Sequence, residues 1–233
     1  SFVTVEGGQL RKPDTTTPAG ADTAFDGINL PEPTLPDLND PYGILITGVG
    51  GTGVVTIGAL LGMAAHIEGK GVSVLDMTGL AQKGGAVISH IRIARKPEDL
   101  HAVRIAAGSA KLMLACDMVT AASVEGLSKV SKEETTAIVN TQQTMTGAFT
   151  RDPDLAFPGN AFEDAIKTST GENSTHFVDA TRIATQLMGD SIAANLFMMG
   201  YALQKGQIPL SLESVERAIE LNAVAVDFNK QAL

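Results

Sequence analysis

The chain has 233 residues, of which 44% are hydrophobic and 18% are charged, so it can bury one large core or two small ones. Its one cysteine, Cys116, excludes an internal disulfide and a four-cysteine iron-sulfur or zinc site built from this chain alone. A net charge of −9 without clustered Lys and Arg argues against nucleic-acid and anionic-membrane surfaces. The sequence shows neither a long apolar span nor a signal-peptide pattern, and we expect a cytoplasmic protein.

Residues 1–41 differ in composition from the rest of the chain. They hold six of the ten prolines and seven acidic side chains, against the two bases Arg11 and Lys12. Fixed proline dihedrals and self-repelling charge predict an acidic, Pro-rich linker or arm, with one short strand over 2–5. Two interpretations stay open for this segment: a disordered tail, or an ordered arm that grips the domain or a neighbour.

From residue 42 to residue 233, the hydrophobic pattern alternates between strands and helices. In chain order it predicts strand 44–47, helix 53–67, strands 72–77, 86–94 and 111–116, helix 119–130, strand 137–140, helix 161–168, strand 176–178, and helices 180–188, 192–204 and 212–228. This alternation predicts a three-layer α/β/α sandwich with a Rossmann-like, mostly parallel sheet. The link before strand 86–94 is too short for a crossover helix, so we expect that strand to be antiparallel. The weakly periodic stretch 141–160 is a mobile or functional loop.

A glycine turn separates the first strand from the first helix. It contains Gly48, Gly50, Gly51, Thr52 and Gly53, which satisfy the G-x-G-x-x-G spacing between a strand and a helix. Without Cβ atoms, a phosphate can approach the first amides of the helix, and the helix dipole favours an anion there. Thr52 adds a candidate hydroxyl donor. The turn is therefore a candidate phosphate site.

The same turn permits two other interpretations. Asp76, at the end of the second predicted strand, has the position of a ribose-binding acid, which favours a free-standing NAD(P)-binding Rossmann oxidoreductase. Alternatively, the glycines serve only close helix-strand packing in a scaffold domain. The dehydrogenase interpretation lacks a clear acid, base and substrate anchor, because His66 lies within the first predicted helix and His101 and His176 have no evident partner.

A second stretch, from 78 to 93, follows the strand that carries Asp76. Lys83 lies beside Gly84 and Gly85 in a loop expected at the same sheet edge as the glycine turn. Its ammonium group is a candidate phosphate partner. The alternative is an ordinary surface lysine in a solvated connection. Cys116 ends an apolar strand, so we interpret it as a buried small hydrophobe.

Two segments together carry a resemblance to a known family. They are LDMTGLAQKGGAVISHIRIA and NLFMMGYALQKGQIPLSLESVERAIELN, after the strand-GxGGxG-helix start. With this start, the chain resembles the gamma-type domain of 2-oxoacid:ferredoxin oxidoreductases over about residues 42–230, and most closely that of the long-chain indolepyruvate ferredoxin oxidoreductases. The opening SFVTVEGGQLRK resembles the segment that follows their cysteine-rich region. This implies one domain of a multidomain enzyme.

The resemblance implies an enzyme that oxidatively decarboxylates a 2-oxoacid with coenzyme A and passes electrons to ferredoxin. Thiamine diphosphate and 4Fe-4S clusters would lie on other domains, which are its expected partners, and the parent enzyme would contain more than one copy of its catalytic unit. This domain would supply no catalytic or metal-binding residue and would hold part of coenzyme A. The implied coenzyme A contacts are the glycine turn, Lys83, Gly84, Asn140 and Asn195. Asn195 interrupts an apolar helix face and needs a hydrogen-bond partner, so simple helix packing stays open for it.

Overall fold

The computed structural model describes residues 30–79, 85–132, 134–144 and 156–233, and these form one six-stranded sheet. Strand β3 pairs antiparallel with both β1 and β2, whereas β1, β4, β5 and β6 are parallel. The order is β2-β3-β1-β4-β5-β6. The strands are β1 (Tyr42–Val49), β2 (Gly71–Thr78), β3 (Ala86–Ala94), β4 (Leu112–Ala115), β5 (Thr136–Asn140) and β6 (Thr175–Val178). The predicted mostly parallel sheet with one antiparallel strand is confirmed.

Eight helices in the described residues cover the two faces of this sheet. They are α1 (Val54–Ile67), α2 (Met118–Ala121), α3 (Val124–Leu127), α4 (Gly159–Thr170), α5 (Ala180–Met188), α6 (Ala194–Gln204), α7 (Leu212–Asn222) and α8 (Val226–Ala232). One face packs against α1 and α5 to α8, and the other packs against α2, α3 and α4. Successive side chains of β1 point to opposite faces of the sheet: Ile44 and Ile46 pack in the layer with α1, and Leu45 packs in the layer with α2 to α4. The predicted three-layer α/β/α sandwich is therefore confirmed.

Two of the predicted helices are in fact broken. The predicted helix 119–130 forms the one-turn helices α2 and α3, because Asp117 and Ser123 each cap a new helix through a side-chain oxygen. The predicted helix 212–228 is interrupted between α7 and α8, where Ala223 and Ala225 adopt positive φ values of 55° and 42°. The predicted strand 2–5 lies outside the described residues.

Residues 30–41 contact the folded domain at several points. Gln204 Nε2 donates to the Pro31 carbonyl at 2.7 Å, and Arg95 Nη2 donates to Asn39 Oδ1 at 3.3 Å. Leu38 packs against the apolar layer beneath α1 and α6. A Cβ on Gly206 would lie 2.5 Å from the Thr34 carbonyl oxygen, so this close approach of two backbones requires glycine. No helix among the described residues is long and apolar enough to cross a bilayer.

Glu68 joins the end of α1 to the start of α7. Its Oε1 accepts hydrogen bonds from the Ser211 amide at 2.8 Å, the Ser211 hydroxyl at 2.8 Å and the Ser214 hydroxyl at 2.6 Å, and Lys70 donates to Oε2. Burial alone would raise the pKa of Glu68, but the bonds from Lys70, Ser214 and Ser211 outweigh it and lower the pKa from 4.5 to about 2. The folded protein therefore prefers the ionised carboxylate.

The chain should lose stability in acid through Glu68. Its pKa is lower in the folded state, so its contribution is present above pH 4.5 and is lost as the pH falls from 4.5 to about 2. We expect Glu68→Gln to cost about 1–2 kcal/mol at neutral pH, with allowance for partial solvent screening, and to flatten the acid dependence. Urea unfolding between pH 7 and 3 measures both effects. Glu134→Gln is the control: the bond from Lys111 also lowers the pKa of Glu134, but this pair is exposed and screened by solvent, so its effect on the acid profile should be much smaller.

Because Ala223 and Ala225 have positive φ values, replacing either with glycine should stabilise the protein. An L-residue with a Cβ pays about 1 kcal/mol in the left-handed region, and both alanines are exposed, so little packing is lost on substitution. Ala223→Gly and Ala225→Gly should each raise the free energy of unfolding by about 0.5–1 kcal/mol. Ala59→Gly, at an exposed interior position of α1, should lower it by about 1 kcal/mol. Lower stability for both of the first two variants would contradict this account.

Candidate functional site

The glycine turn between β1 and α1 is the starting point of the site. Gly51 and Gly53 adopt φ values of 88° and 87°, and no heavy atom lies within 4 Å of a Cβ position built on either. Among the described residues, the amides of Gly51, Gly53 and Val54 have no acceptor within hydrogen-bond distance. Orphan amides at the start of a helix are groups to which an anion can bind.

The other glycines of the turn have packing roles. A Cβ on Gly48 would lie 2.4 Å from Val54 Cγ2, so Gly48 allows the helix to follow the strand closely. The Gly50 amide donates to the Gly85 carbonyl at 2.8 Å and is therefore already occupied. The hydroxyl of Thr52 donates to the Val49 carbonyl at 2.7 Å rather than standing free. The Thr52 amide also donates to the Val49 carbonyl, at 3.3 Å, so the candidate phosphate contacts are the backbone amides of Gly51, Gly53 and Val54.

Three contacts from separate parts of the fold hold this turn in place. Gly85, just before β3, accepts from Gly50 as described. Thr120 of α2 donates its hydroxyl to the Gly48 carbonyl at 3.2 Å. Asn195 of α6 donates Nδ2 to the Thr52 carbonyl at 2.8 Å across 143 residues of sequence. The predicted need of Asn195 for a hydrogen-bond partner is met by the turn itself.

A cleft of about 510 Å³ opens beside the turn, at the carboxyl ends of β1, β4 and β5. Gly51, Thr52, Asn140 and Asn195 all border it, so the structure brings together four of the residues predicted from the sequence. Ligands of open α/β sheets bind at this edge. The full lining is Val49, Gly51, Thr52, Cys116, Asp117, Asn140, Gln142, Thr144, Thr181, Asp190, Ser191, Ile192, Ala194 and Asn195.

Asn140 organises the floor of the cleft. Its Nδ2 donates to the Thr181 hydroxyl at 2.8 Å and to the Cys116 carbonyl at 3.3 Å. Its Oδ1 accepts from the amides of Gln142 at 3.3 Å and Thr181 at 3.4 Å. The amide group is thus engaged within the protein, tying β4, β5 and α5 together. Asn195 differs, because its Oδ1 has no donor within hydrogen-bond distance among the described residues.

Two carboxylates in the wall of the cleft were not predicted as site residues from the sequence. Asp117 accepts from the Thr120 amide at 2.7 Å and from its hydroxyl at 2.8 Å, and Asp190 accepts from the Ile192 amide at 2.9 Å. Neither has a cationic partner within 4.0 Å in the part of the chain that the structure describes. The sequence signal that could have identified them is the N-cap pattern, in which an Asp stands immediately before a helical turn.

Cys116 lies at the same edge of the sheet, half-buried against the core. Burial, with a smaller contribution from the neighbouring Asp117 charge, raises the pKa of its thiol to about 12. The thiol therefore stays protonated at neutral pH and is a poor nucleophile. This agrees with its interpretation as a small hydrophobe. Lys83 and Gly84 lie outside the described residues.

Asp76 does not reach the glycine turn. In the sheet, β3 lies between β1 and β2, so the Asp76 strand is about two strand spacings, or roughly 10 Å, from β1. Its carboxylate instead accepts a hydrogen bond from the Ser89 hydroxyl on β3. A dinucleotide-binding acid needs a strand next to the turn. The strand order therefore disfavours the NAD(P)-binding interpretation.

Comparison with known proteins identifies relatives over most of the chain. Residues 43–233 match the family model described as pyruvate ferredoxin/flavodoxin oxidoreductase. Indolepyruvate oxidoreductase subunit IorB of Pyrococcus horikoshii is 30% identical over 196 residues, which cover 82% of this chain and 92% of the relative. The common subunit gamma of the Pyrococcus furiosus pyruvate/ketoisovalerate oxidoreductases is 29% identical, over 74% of this chain and 82% of the relative.

Solved structures share this architecture. Pyruvate oxidoreductase subunit PORC of Thermotoga maritima has a TM-score of 0.59 at 24% identity and covers 83% of this chain and 93% of its own. A 2-oxoglutarate:ferredoxin oxidoreductase of Magnetococcus marinus, solved with coenzyme A bound, has a TM-score of 0.59 at 13% identity and matches over 83% of this chain but 30% of its own. At these identities the likeness concerns the fold. With the match over residues 43–233, it follows that the chain belongs to the pyruvate ferredoxin/flavodoxin oxidoreductase family.

Proposed function

We propose that this chain is the small, gamma-type part of a 2-oxoacid:ferredoxin oxidoreductase of the indolepyruvate class, and that it holds a phosphate of coenzyme A at the glycine turn. The supporting observation is the group of orphan amides of Gly51, Gly53 and Val54 in a turn that is held from three sides and borders a cleft. The two relatives named above are subunits of oxidoreductases that act on indolepyruvate, pyruvate and ketoisovalerate. Coenzyme A would supply the thiol that takes up the acyl group in such a reaction.

Different parts of the cleft suit different groups of such a ligand. A phosphate suits the backbone amides of Gly51, Gly53 and Val54, where the α1 dipole adds positive potential. The carboxylates Asp117 and Asp190 would repel a phosphate but can accept hydrogen bonds from hydroxyl or amine groups of a nucleotide. The phosphate therefore belongs at the turn, with the uncharged polar groups deeper in the cleft.

The remaining chemistry is proposed to lie on other parts of the enzyme. With one cysteine, this chain cannot supply the four thiolates that a 4Fe-4S cluster requires. We assign the thiamine diphosphate, the clusters and the docking of ferredoxin to those partner domains. The role of this chain is to bind one end of coenzyme A and to contact its partners. We retain residues 1–41 as a linker or arm and 42–233 as the folded unit.

Lys83 is the proposed cation for this phosphate. Losing a charge-assisted hydrogen bond to phosphate costs about 1.5–3 kcal/mol, so Lys83→Ala should raise the apparent coenzyme A requirement of the whole enzyme about tenfold or more. The turnover number at saturating coenzyme A should change little. Steady-state kinetics with varied coenzyme A measures both quantities. The control is Lys132→Ala, because Lys132 is exposed and lies before β5 at the opposite end of the sheet. An unchanged coenzyme A requirement in Lys83→Ala would show that Lys83 does not belong to the site.

A matched pair of glycines separates binding at the turn from backbone strain. Gly51→Ala and Gly69→Ala both place a Cβ at positive φ, at 88° and 69°, and both should cost about 1–2 kcal/mol of stability. Only Gly51 borders the cleft, whereas Gly69 follows the far end of α1. Calorimetric titration of the whole enzyme should show about tenfold weaker coenzyme A binding for Gly51→Ala alone. Equal affinities for the two variants would place the phosphate elsewhere.

A further inference from the structure

Helix α1 is mainly apolar on its outer side although this side lies at the surface. Among its 14 residues only Thr56 and His66 have polar side chains, and none carries a permanent charge. Both polar residues are exposed and lie among the apolar residues of the outer side. Its inner side packs on the sheet through side chains such as Ile57, Leu61 and Ala64. A helix that is hydrophobic all round is normally covered on all sides. The outer side of α1 therefore has the composition of a covered surface.

This outer side forms a continuous patch, which we call the α1 face: Val55, Ala59, Met63 and Ile67 of α1 together with Val74 of β2. The helical residues recur every four positions, and Val74 packs beside them against Gly58 and Gly62. Val55 is 43% exposed, Met63 41%, Ile67 39% and Val74 38%. Together they present on the order of 300 Å² of apolar surface, a size that on a single subunit is often functional.

Each end of the α1 face adjoins a distinct feature. At one end, Val55 follows the glycine turn directly, so the patch is continuous with the mouth of the cleft. At the other end, Ile67 borders a shallow groove of about 380 Å³ with Glu213 and Glu216 of α7 in its wall. Neither glutamate has a cationic partner within 4.0 Å among the described residues. Arg217 also lines this groove, but its charge is paired with Glu220 at 2.6 Å. The patch thus has an apolar centre and, at its Ile67 end, an acidic rim formed by Glu213 and Glu216.

We propose that the α1 face docks onto the thiamine-binding part of the same enzyme, through an apolar surface rimmed with Lys and Arg. This rests on the proposed function, which requires such a part to lie near the coenzyme A site. The charge pattern favours this partner over a second copy, because two chains of net charge −9 repel each other and offer the same acidic rim. About 300 Å² is also well below the roughly 800 Å² per partner of a stable interface, so the partner gains further area at the cleft mouth.

Such docking would complete the candidate site. The described walls of the cleft contain the carboxylates Asp117 and Asp190 and no Lys or Arg. The basic rim of the partner faces Glu213 and Glu216 at the Ile67 end. A rim that continues along the α1 face to Val55 would also add positive charge at the mouth, beside the amides of the turn. Charge complementarity of this kind speeds association and sets orientation.

The test is thiol labelling in the whole purified enzyme. Met63→Cys reports on the α1 face, and Val124→Cys is the control, since Val124 is 89% exposed on the opposite layer of the sandwich. N-ethylmaleimide adducts at each position are followed by peptide mass spectrometry, which also separates them from the half-buried Cys116. We expect labelling at position 63 to be about tenfold slower or more, because thiol reactivity follows exposure. Similar rates, within the roughly twofold difference in exposure, would overturn the proposal.

Two further arms identify the occupant. A maleimide-benzophenone probe on Met63→Cys should cross-link to the thiamine-binding part; cross-links to a second copy of this chain would overturn that assignment. The charge reversal Glu213→Lys with Glu216→Lys should accelerate labelling of Met63→Cys by loosening the contact. Unchanged labelling would contradict the proposal that the partner presents Lys and Arg to these glutamates.

Measuring the coenzyme A affinity of the same preparation distinguishes the docking proposal from the proposed phosphate site. A protected position 63 without coenzyme A binding refutes only the phosphate site, and an exposed position 63 with normal affinity refutes only the docking.

Discussion

The antiparallel pairing of β3 with β1 is the constraint on which the arrangement of this molecule depends. Eight residue pairs, from Tyr42 opposite Ile93 to Val49 opposite Ala86, join the two strands side by side. This pairing brings the carbonyl of Gly85 to the amide of Gly50 and so fixes one side of the glycine turn. It also moves β2 one place outward, which takes Asp76 away from the turn and leaves β2 as an edge strand next to α1.

The candidate site draws its positive potential from the backbone rather than from described side chains. The amides of the glycine turn are oriented before any ligand arrives, because Gly85, Thr120 and Asn195 hold the turn from three elements of the fold. Preorganisation of this kind lowers the ordering cost of binding. The carboxylates of Asp117 and Asp190 are present chiefly because they cap helical turns, and they make the deeper cleft suited to hydrogen-bond donors.

Helix α1 connects the candidate site to the candidate interface. Its first turn presents the orphan amides, its inner side completes the apolar layer over β1, and its outer side is mainly apolar. Glu68, one residue after the helix ends, ties it to α7. A partner that covered α1 would therefore touch an element that is rigidly joined both to the glycine turn and to the acidic rim.

Local pattern in the sequence determined the strands, most of the helices, the antiparallel direction of β3 and the glycine turn, because periodicity, short links and missing Cβ atoms act over a few residues. It did not predict the breaks at 122–123 and 223–225, where capping side chains and two left-handed alanines override a continuous apolar pattern. The sequence also indicated that Asn195 needs a partner. Only the tertiary structure decided that this partner is the Thr52 carbonyl, that Asn140 is engaged within the cleft floor and that Asp76 is remote, because strand order and contacts across 40 to 140 residues depend on the packing of the whole sheet.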